Sequence, residues 1–480
     1  MTAGLISVAE ARERVLAAVR PLAAEAVPIG EALGRVLAEE VAAAEDLPPF
    51  DASAMDGYAV VAGEAAELDV VDESRAGAPA ERTLGAGEAI RISTGARMPA
   101  GADAVVPVER VREPGGGGPG DGGPGDDRPG DGEPGGGEPG GGELGGGGGG
   151  PGGGRPPARV WVPEVEPGAN VRLAGEDVRS GQVVLRPGAE VGPAEVAMLA
   201  WVGRTSVRCG RAPRVSIVVT GDELVEPGAP LGPGRIRDSN SPALAALATR
   251  AGATVAAARR APDDYAATVE ALRAAVAEAD VVCVSGGVSV GPHDHVKPAL
   301  RELGAEERFW GVALKPGKPT WFGTVARGMA GAEQAGGTAG RGTAARGEQA
   351  GGTARGEQAN ADRVLVFGLP GNPVSAMVTF HLLARPALRA LTGADPSDTR
   401  VRARLDAPVR RSPRREQAVR CRVRATDDGW RLDPTGPQES HRISSMLGAG
   451  ALAMIPAGEG ALDAGDPVDA ELLPRGTVSA

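Results

Sequence analysis

The sequence predicts a multidomain α/β protein. A parallel-sheet α/β domain is joined to an elongated helical region, a β-rich region and a C-terminal β domain. Three observations predict this. Residues 214–391 alternate continuous apolar runs with amphipathic helical stretches, the pattern of a parallel sheet covered by helices. Residues 47–113, 160–210 and 401–480 read instead as short strands and turns. The length of 480 residues corresponds to about three or four domains.

The elements follow in order. Val8, Val15 and Val19 recur at i, i+7 and i+11 with Arg and Glu between them, which predicts a helix over 7–20. A second helix is expected over about 29–40. Ile90-Arg91-Ile92 and Ala104-Val105-Val106 read as strands, and Pro193 opens a helix that runs to about Val202. Val215 to Val219 form the first strand of the α/β region. Ser241-Pro242 then opens a helix to Arg250, with Ser as N-cap and Pro in the first turn. Strands are expected at 254–257, 280–284 and 364–367, and helices at 264–278 and 373–391.

Composition excludes several functions. The chain carries 51 Lys+Arg against 63 Asp+Glu, a formal charge of −12, and has 12 aromatic residues. Sequence-independent nucleic-acid binding needs a basic surface and stacking rings, so no nucleic-acid partner is expected. Cys209, Cys283 and Cys421 form no CxxC pair, and the four His give no HExxH. No apolar run approaches the ~20 residues of a membrane span, and no signal-peptide core opens the chain. A soluble, reduced, cytoplasmic protein without a membrane partner is the expectation. Residues 114–157 hold 25 Gly in 44 positions with seven acids and two Arg, and read as a disordered acidic insertion. Residues 330–361 repeat Gly-Glu-Gln-Ala and read as a second low-complexity insertion.

Ligands of open parallel sheets bind at the carboxyl ends of the strands. The polar and Gly-rich stretches of the α/β region fall there. They are Thr220-Gly221-Asp222-Glu223; Ser285-Gly286-Gly287-Val288-Ser289-Val290-Gly291 with Pro292-His293-Asp294-His295; Lys315-Pro316-Gly317-Lys318-Pro319; and Leu369-Pro370-Gly371-Asn372-Pro373. These loops are expected to share one rim and to form an anionic-ligand site. Bare N–H groups of the Gly-rich turn would meet a phosphate, Lys315 and Lys318 would neutralise it, and Glu223 and Asp294 would offer oxygen ligands to Mg²⁺. Taken singly, each element also reads as an ordinary turn or a solvated side chain. The P-loop ending GK[ST] and the GxGxxG pattern are absent. Gly287-Val288-Ser289-Val290-Gly291 matches the GxSxG elbow, but Ser285-Gly286-Gly287 separates it from the strand, and of the four His available His293 and His295 are too close in sequence to be a distant triad member, which disfavours a serine hydrolase. His293-Asp294-His295 lacks further ligands for a transition metal. Phe50 to Ala59, with Asp56-Gly57 in its middle, reads as a hairpin tip.

Seven motifs occur in a fixed order: Ser53-Ala54-Met55-Asp56-Gly57-Tyr58-Ala59, Ile92-Ser93-Thr94-Gly95-Ala96, Gly175-Glu176-Asp177, Thr220-Gly221-Asp222-Glu223-Leu224, the Ser285–Gly291 loop, Lys315-Pro316-Gly317-Lys318-Pro319, and Leu369-Pro370-Gly371-Asn372-Pro373-Val374-Ser375-Ala376. In this the sequence resembles the molybdopterin molybdenumtransferase family (MoeA and the E domain of gephyrin) over roughly residues 5–475, apart from the two insertions.

The resemblance implies four domains: an elongated helical domain (1–46 and 176–212), a β-rich lid (47–175), a molybdopterin-binding α/β domain (213–394) and a C-terminal β domain (395–480). It implies a homodimer whose cleft combines the lid of one subunit with the last two domains of the other. The implied reaction is Mg²⁺-dependent insertion of molybdate into adenylylated molybdopterin with release of AMP, the last step of molybdenum-cofactor synthesis. Molybdopterin adenylyltransferase and molybdoenzyme acceptors are implied partners. Asp294, Glu223 and Asp56 match catalytic acids, the first two linked to Mg²⁺. Thr94 and Asp177 match lid positions that face the cleft. Thr220, Gly221, Asp222, Asp238, Asn240, Ser285, Gly286, Gly287, Ser289, Gly291, Lys315, Lys318, Pro370, Gly371, Asn372, Ser375, Ser440, His441 and Ser444 match substrate-binding positions. A family pattern of acid-Ala-Asp-Tyr is replaced by Pro292-His293-Asp294-His295, which keeps the Asp and changes its neighbours. Two alternatives remain at this stage: a non-catalytic molybdopterin-binding scaffold, and a molybdopterin adenylyltransferase.

Overall fold

A computed structural model describes residues 4–112, 158–288, 294–327, 363–397 and 399–473. The two expected insertions, 114–157 and 330–361, lie wholly outside these residues. The chain forms two compact units, one of residues 1–40 with 185–480 and one of residues 41–184.

The larger unit is organised around a six-stranded sheet. Its strands are β1 (Arg214–Thr220), β2 (Thr254–Ala261), β3 (Val281–Ser285), β4 (Glu306–Trp310), β5 (Trp321–Ala326) and β6 (Arg363–Leu369), in the order β2-β1-β3-β6-β5-β4. The pairs β1–β2, β1–β3 and β3–β6 are parallel, whereas β5 is antiparallel to both β6 and β4. The expected parallel sheet is therefore a four-stranded parallel core with an antiparallel edge. β3 is buried along its whole length, as helices on both faces require.

Helices α1 (Val8–Ala18), α2 (Pro193–Trp201), α3 (Asn240–Arg250), α4 (Tyr265–Glu278), α5 (Val296–Glu302), α6 (Pro373–Thr379) and α7 (Arg385–Leu391) complete the main elements of the unit. One face of the sheet packs Val215, Ile217 and Val219 against α1, α3, α6 and α7. The other packs Val218, Val282 and Val284 against Val269, Leu272 and Val276 of α4 and Leu300 of α5. Ser7 caps α1 by accepting the Glu10 N–H at 3.0 Å, and Asp264 caps α4 by accepting the Ala267 N–H at 2.8 Å.

Several expectations require correction. Residues 29–40 do not form a helix. Ile29–Glu31 make one 3-10 turn, Gly34 has φ +75°, and Val36 and Leu37 then make β-bridges to Glu190 and Cys209. A left-handed glycine stops helical propagation. Ser241 does not cap α3; the helix begins two residues earlier than expected, at Asn240, where Asp238 Oδ1 accepts the N–H groups of both Asn240 (2.9 Å) and Ser241 (3.0 Å). The second strand runs to Ala261 instead of ending near 257. The helix over 373–391 is interrupted by a π-helical turn, Phe380–Ala384. Pro386 follows it, and a proline cannot bond the carbonyl four residues back. That carbonyl, of Leu382, accepts Arg12 Nε at 3.1 Å instead.

The C-terminal β region closes on itself. Strand Glu416–Thr426 pairs with Gly429–Pro434 and with Ala451–Ile455, and the ring is completed through Arg400–Leu405 and Pro467–Leu472. Leu405, Cys421, Leu432 and Ile455 fill this small barrel.

The smaller unit is a β domain. Its five-stranded sheet contains Gly57–Val60 between Glu88–Ile92 and Ala104–Pro107. At Gly57 an added Cβ would lie 2.1 Å from the Val106 carbonyl oxygen, so the Asp56-Gly57 sequence marks a close strand approach. Among the described residues no helix is long and apolar enough to cross a membrane.

Candidate active site

The ends of β1, β2, β3 and β6 open into one cleft of about 620 Å³. The expected strand-end loops therefore meet at one rim, although the lysine loop reaches it only through Pro319 and not through Lys315 or Lys318. Thr220, Gly221 and Glu223 enter from β1, Ser285, Gly286 and Gly287 from β3 with Asp294 beyond, and Pro370, Gly371 and Asn372 from β6. Asp238 and Asn240 line it from the start of α3.

Local bonds explain this convergence. The short strands Leu224–Val225 and Ile236–Arg237 run parallel, and the N–H of Ile236 donates to Glu223 O at 2.8 Å. This stitches the Glu223 loop to the Asp238-Ser239-Asn240 loop. Asn240 Nδ2 donates to Ser285 Oγ (2.8 Å) and to Gly371 O (2.7 Å), and Ser285 Oγ donates to Pro370 O (3.2 Å). Asn240 Oδ1 is buried and accepts no hydrogen bond from the described residues. An acceptor in this state is costly unless a ligand donor meets it.

The glycine loop is tightly held. Gly286 has φ +93°, and a Cβ there would sit 2.8 Å from Thr220 Oγ1 and 2.9 Å from Thr220 O. Its N–H donates to Leu369 O at 3.2 Å. This amide is thus consumed by the fold and is not one of the bare donors expected for a phosphate. Val288 O accepts Trp310 Nε1 at 3.0 Å. Ser289 and Gly291 lie outside the described residues.

Besides Asp238, whose Oδ1 is engaged by the α3 amides, three carboxylates line the cleft: Glu223, Asp294 and Asp263. Asp263 was not anticipated. It follows the end of β2, and ending that strand at 257 hid the fact that Asp263 stands at a carboxyl strand end. Its carboxylate accepts the Asp222 N–H at 3.3 Å, and its own N–H donates to Asp222 Oδ1 at 3.2 Å. Asp222 itself is exposed and braces the loop. Among the described residues no group of three or more His, Cys, Asp or Glu is close enough to hold a metal by itself. The donors are all carboxylate oxygens, the chemistry Mg²⁺ prefers, and that ion is commonly held by one or two carboxylates with substrate phosphates completing its shell.

Other expected residues are placed differently. Lys315 and Lys318 are exposed and do not line the cleft, although Pro319 of the same loop does. Ser375 is buried within α6, 4% exposed, and also does not line it. Ser440 reaches the β6 loop, its Oγ accepting Asn372 Nδ2 at 3.1 Å, while His441 and Ser444 are exposed nearby in sequence. In the smaller unit Asp56 Oδ1 accepts the Thr94 N–H at 2.8 Å, and Asp177 is exposed.

A second residue not anticipated is Arg420, which is 1% exposed and makes no salt bridge among the described residues. Its Nε and Nη2 donate to Ser445 Oγ at 3.1 and 3.0 Å, and Nη2 donates to Glu439 O at 3.3 Å. Burial lowers its pKa. Arg420 alternates with Val419 and Cys421 of the barrel core and with the exposed Arg422, so the sequence reads it as an outward, solvated residue; only the tertiary fold lays Glu439 and Ser445 over it. Burial also pushes the Cys283 and Cys421 thiols up to about 12, so neither supplies a thiolate.

Fold and cleft together define a multidomain α/β protein with a polar, carboxylate-lined site at the carboxyl ends of parallel strands. Family comparison agrees along the chain. Residues 6–203 match the MoeA N-terminal region (domains I and II), 216–390 the probable molybdopterin binding domain, and 402–473 the MoeA C-terminal region (domain IV). A molybdopterin molybdenumtransferase of Haemophilus influenzae is 32% identical over 393 residues, 81% of this chain and 78% of that protein. One of Staphylococcus epidermidis is 29% identical over 473 residues, 97% and 94% of the two chains. The solved molybdopterin biosynthesis MoeA protein of Pyrococcus horikoshii OT3 superposes with a TM-score of 0.70 at 26% identity, over 98% of this chain and 100% of that one. The chain belongs to the molybdopterin molybdenumtransferase family, which places it in molybdenum-cofactor biosynthesis.

Proposed function

We propose that this protein inserts molybdate into adenylylated molybdopterin with Mg²⁺-dependent release of AMP. The observation that carries this reading is one cleft joining the carboxylates of Glu223, Asp263 and Asp294 to Asn240 Oδ1, a buried acceptor that no donor among the described residues meets. A pterin ring presents amide and amino N–H donors on one edge, which suit that acceptor. Asn240 is held in place by its own bonds to Ser285 and Gly371, so it reads the ring without rearrangement.

Glu223 and Asp294, with Asp263, would hold Mg²⁺. When bound, the ion neutralises the phosphoanhydride and polarises it toward cleavage. The protein's own contribution is positional: Asp238 sets the start of α3, and the paired loops at 223–225 and 236–238 fix Glu223. Lys315 and Lys318 supply positive charge toward molybdate from an exposed loop, and Ser440 joins the C-terminal domain to the cleft through Asn372. The dithiolene sulfurs belong to the substrate, in keeping with the inert cysteines.

The same reading makes the protein a cytoplasmic homodimer in which the 47–175 lid of a second copy brings Asp56, Thr94 and Asp177 to the cleft. It would take substrate from molybdopterin adenylyltransferase and pass product to molybdoenzymes. The test is to mix protein, adenylylated molybdopterin, molybdate and Mg²⁺ and to measure AMP beside mature cofactor, with Asp294→Ala in parallel. Release that requires both molybdate and Mg²⁺, and that the variant loses, is expected. Tight substrate binding with no turnover would instead assign a carrier role.

A further inference from the structure

Asp294 stands immediately before α5, a helix of seven residues. A helix this short has little stability of its own, so the direction of its first residues depends on what packs against it. Two aromatic side chains do this from opposite neighbours. On one side, Lys297 of α5 lies over the Trp310 ring, 4.1 Å from its centroid, and Trp310 also bonds Val288 O. On the other side stands Tyr265, the first residue of α4.

The Tyr265 ring meets the His295 ring edge-on, with centroids 6.1 Å apart and planes at 74°, a favourable aromatic arrangement. Its hydroxyl donates to Glu302 Oε2 at 2.6 Å. His295 is the N-cap of α5 and Glu302 its last residue, two helical turns apart on one face. A single side chain thus touches both ends of the helix. Tyr265 also follows Asp263 by two residues, and Asp264 between them caps α4. The segment 263–265 therefore presents one cleft carboxylate directly and reaches the neighbour of another.

We propose that Tyr265 is a positioning residue for the Asp294 carboxylate, setting its placement relative to Asp263 through the His295 ring and the Glu302 bond. This rests on the reading above, in which Asp294 serves Mg²⁺. Tyr265 touches neither substrate nor metal; it acts through α5.

The experiment uses the full-length protein and three readouts. These are the Mg²⁺ concentration that half-saturates AMP release, the Mg²⁺ Kd by calorimetry in the presence of AMP, and hydrogen exchange of the 296–302 amides. Tyr265→Ala is expected to weaken Mg²⁺ about tenfold in both assays, the usual scale for a residue behind a metal ligand, and to speed exchange, while KM for molybdate stays unchanged. Tyr265→Phe keeps the ring on His295 and is expected to recover most of the loss. Tyr265→Leu serves if the alanine variant melts far below the parent. Unchanged Mg²⁺ dependence in the variants overturns the proposal, whether exchange rises or not, since faster exchange alone would show a merely structural contact. A wild-type protein that releases no AMP would defeat the functional reading, yet the calorimetric comparison would still decide the role of Tyr265.

Discussion

Asn240 Nδ2 donates both to Ser285 Oγ at 2.8 Å and to the Gly371 carbonyl at 2.7 Å. One amide thereby ties the start of α3 to the ends of β3 and β6. Asn240→Ala removes two donors and leaves the Gly371 carbonyl without this partner. A loss of about 1–3 kcal/mol in stability is expected by urea unfolding. Asn240→Asp keeps the shape but sets an oxygen against two acceptors. Calorimetry should show weaker molybdopterin binding for both variants.

Gly286 permits the β3 loop to press against Thr220. Gly286→Ala brings a Cβ into atoms 2.8–2.9 Å away at a backbone angle that L residues avoid. Strain alone is expected to cost about 1–3 kcal/mol. A lowered Tm with loss of substrate binding is the expected outcome; a variant that melts and binds like the parent would show that the loop is free to shift.

Asp280 governs the acid limb. Burial by itself would raise its pKa. Two bonds from Arg211 at 3.0 Å, the Arg214 N–H at 2.8 Å and the charge of Arg327 outweigh this and hold it below the ordinary carboxylate range. A depressed folded-state pKa stabilises above the unfolded value and is lost as pH falls through the folded one. This contribution should start to fade below about pH 4, the ordinary carboxylate value, and be gone once pH falls beneath the lower folded value. Asp280→Asn is expected to cost about 3 kcal/mol at pH 7 and to flatten the fall in stability below pH 4, measured by denaturant melts at each pH.

Arg420 holds the segment that carries Ser440. Arg420→Lys keeps a charge but loses the planar fork that reaches Ser445 and Glu439 together. Turnover is expected to fall at least about tenfold, with lost interactions of 1.4 kcal/mol or more. Arg420→Met tests the alternative, since it fills the space without charge. If methionine preserves both Tm and turnover, the guanidinium is not what orders the segment.

How much of this was legible beforehand follows from which residues carry local signals. The apolar runs at Val215–Val219 and 280–284 and the helix over 264–278 were readable because burial on both faces of a sheet needs continuous hydrophobic strands. The acids Glu223 and Asp294 were legible as polar residues in loops placed by strand ends. The turn over 29–40 was misread because its Ala- and Leu-rich composition outweighed Gly34, and pairing with the distant Glu190 and Cys209 decided the outcome.

The sequence by itself determined the family, the alternation of strands and helices, and the loops that form the cleft, since each is written in contiguous residues with a period or a motif. Tertiary structure decided the rest. Asp263 joins the carboxylates because β2 extends further than its local pattern announces. Arg420 is buried because the segment with Glu439 and Ser445 folds over its face of the strand, and Leu382 O accepts Arg12 where Pro386 cannot use it. Tyr265 meets His295 because α4 and α5 pack side by side. These are contacts between residues that are distant in the chain, fixed by packing and bond satisfaction in three dimensions, and no local pattern encodes them.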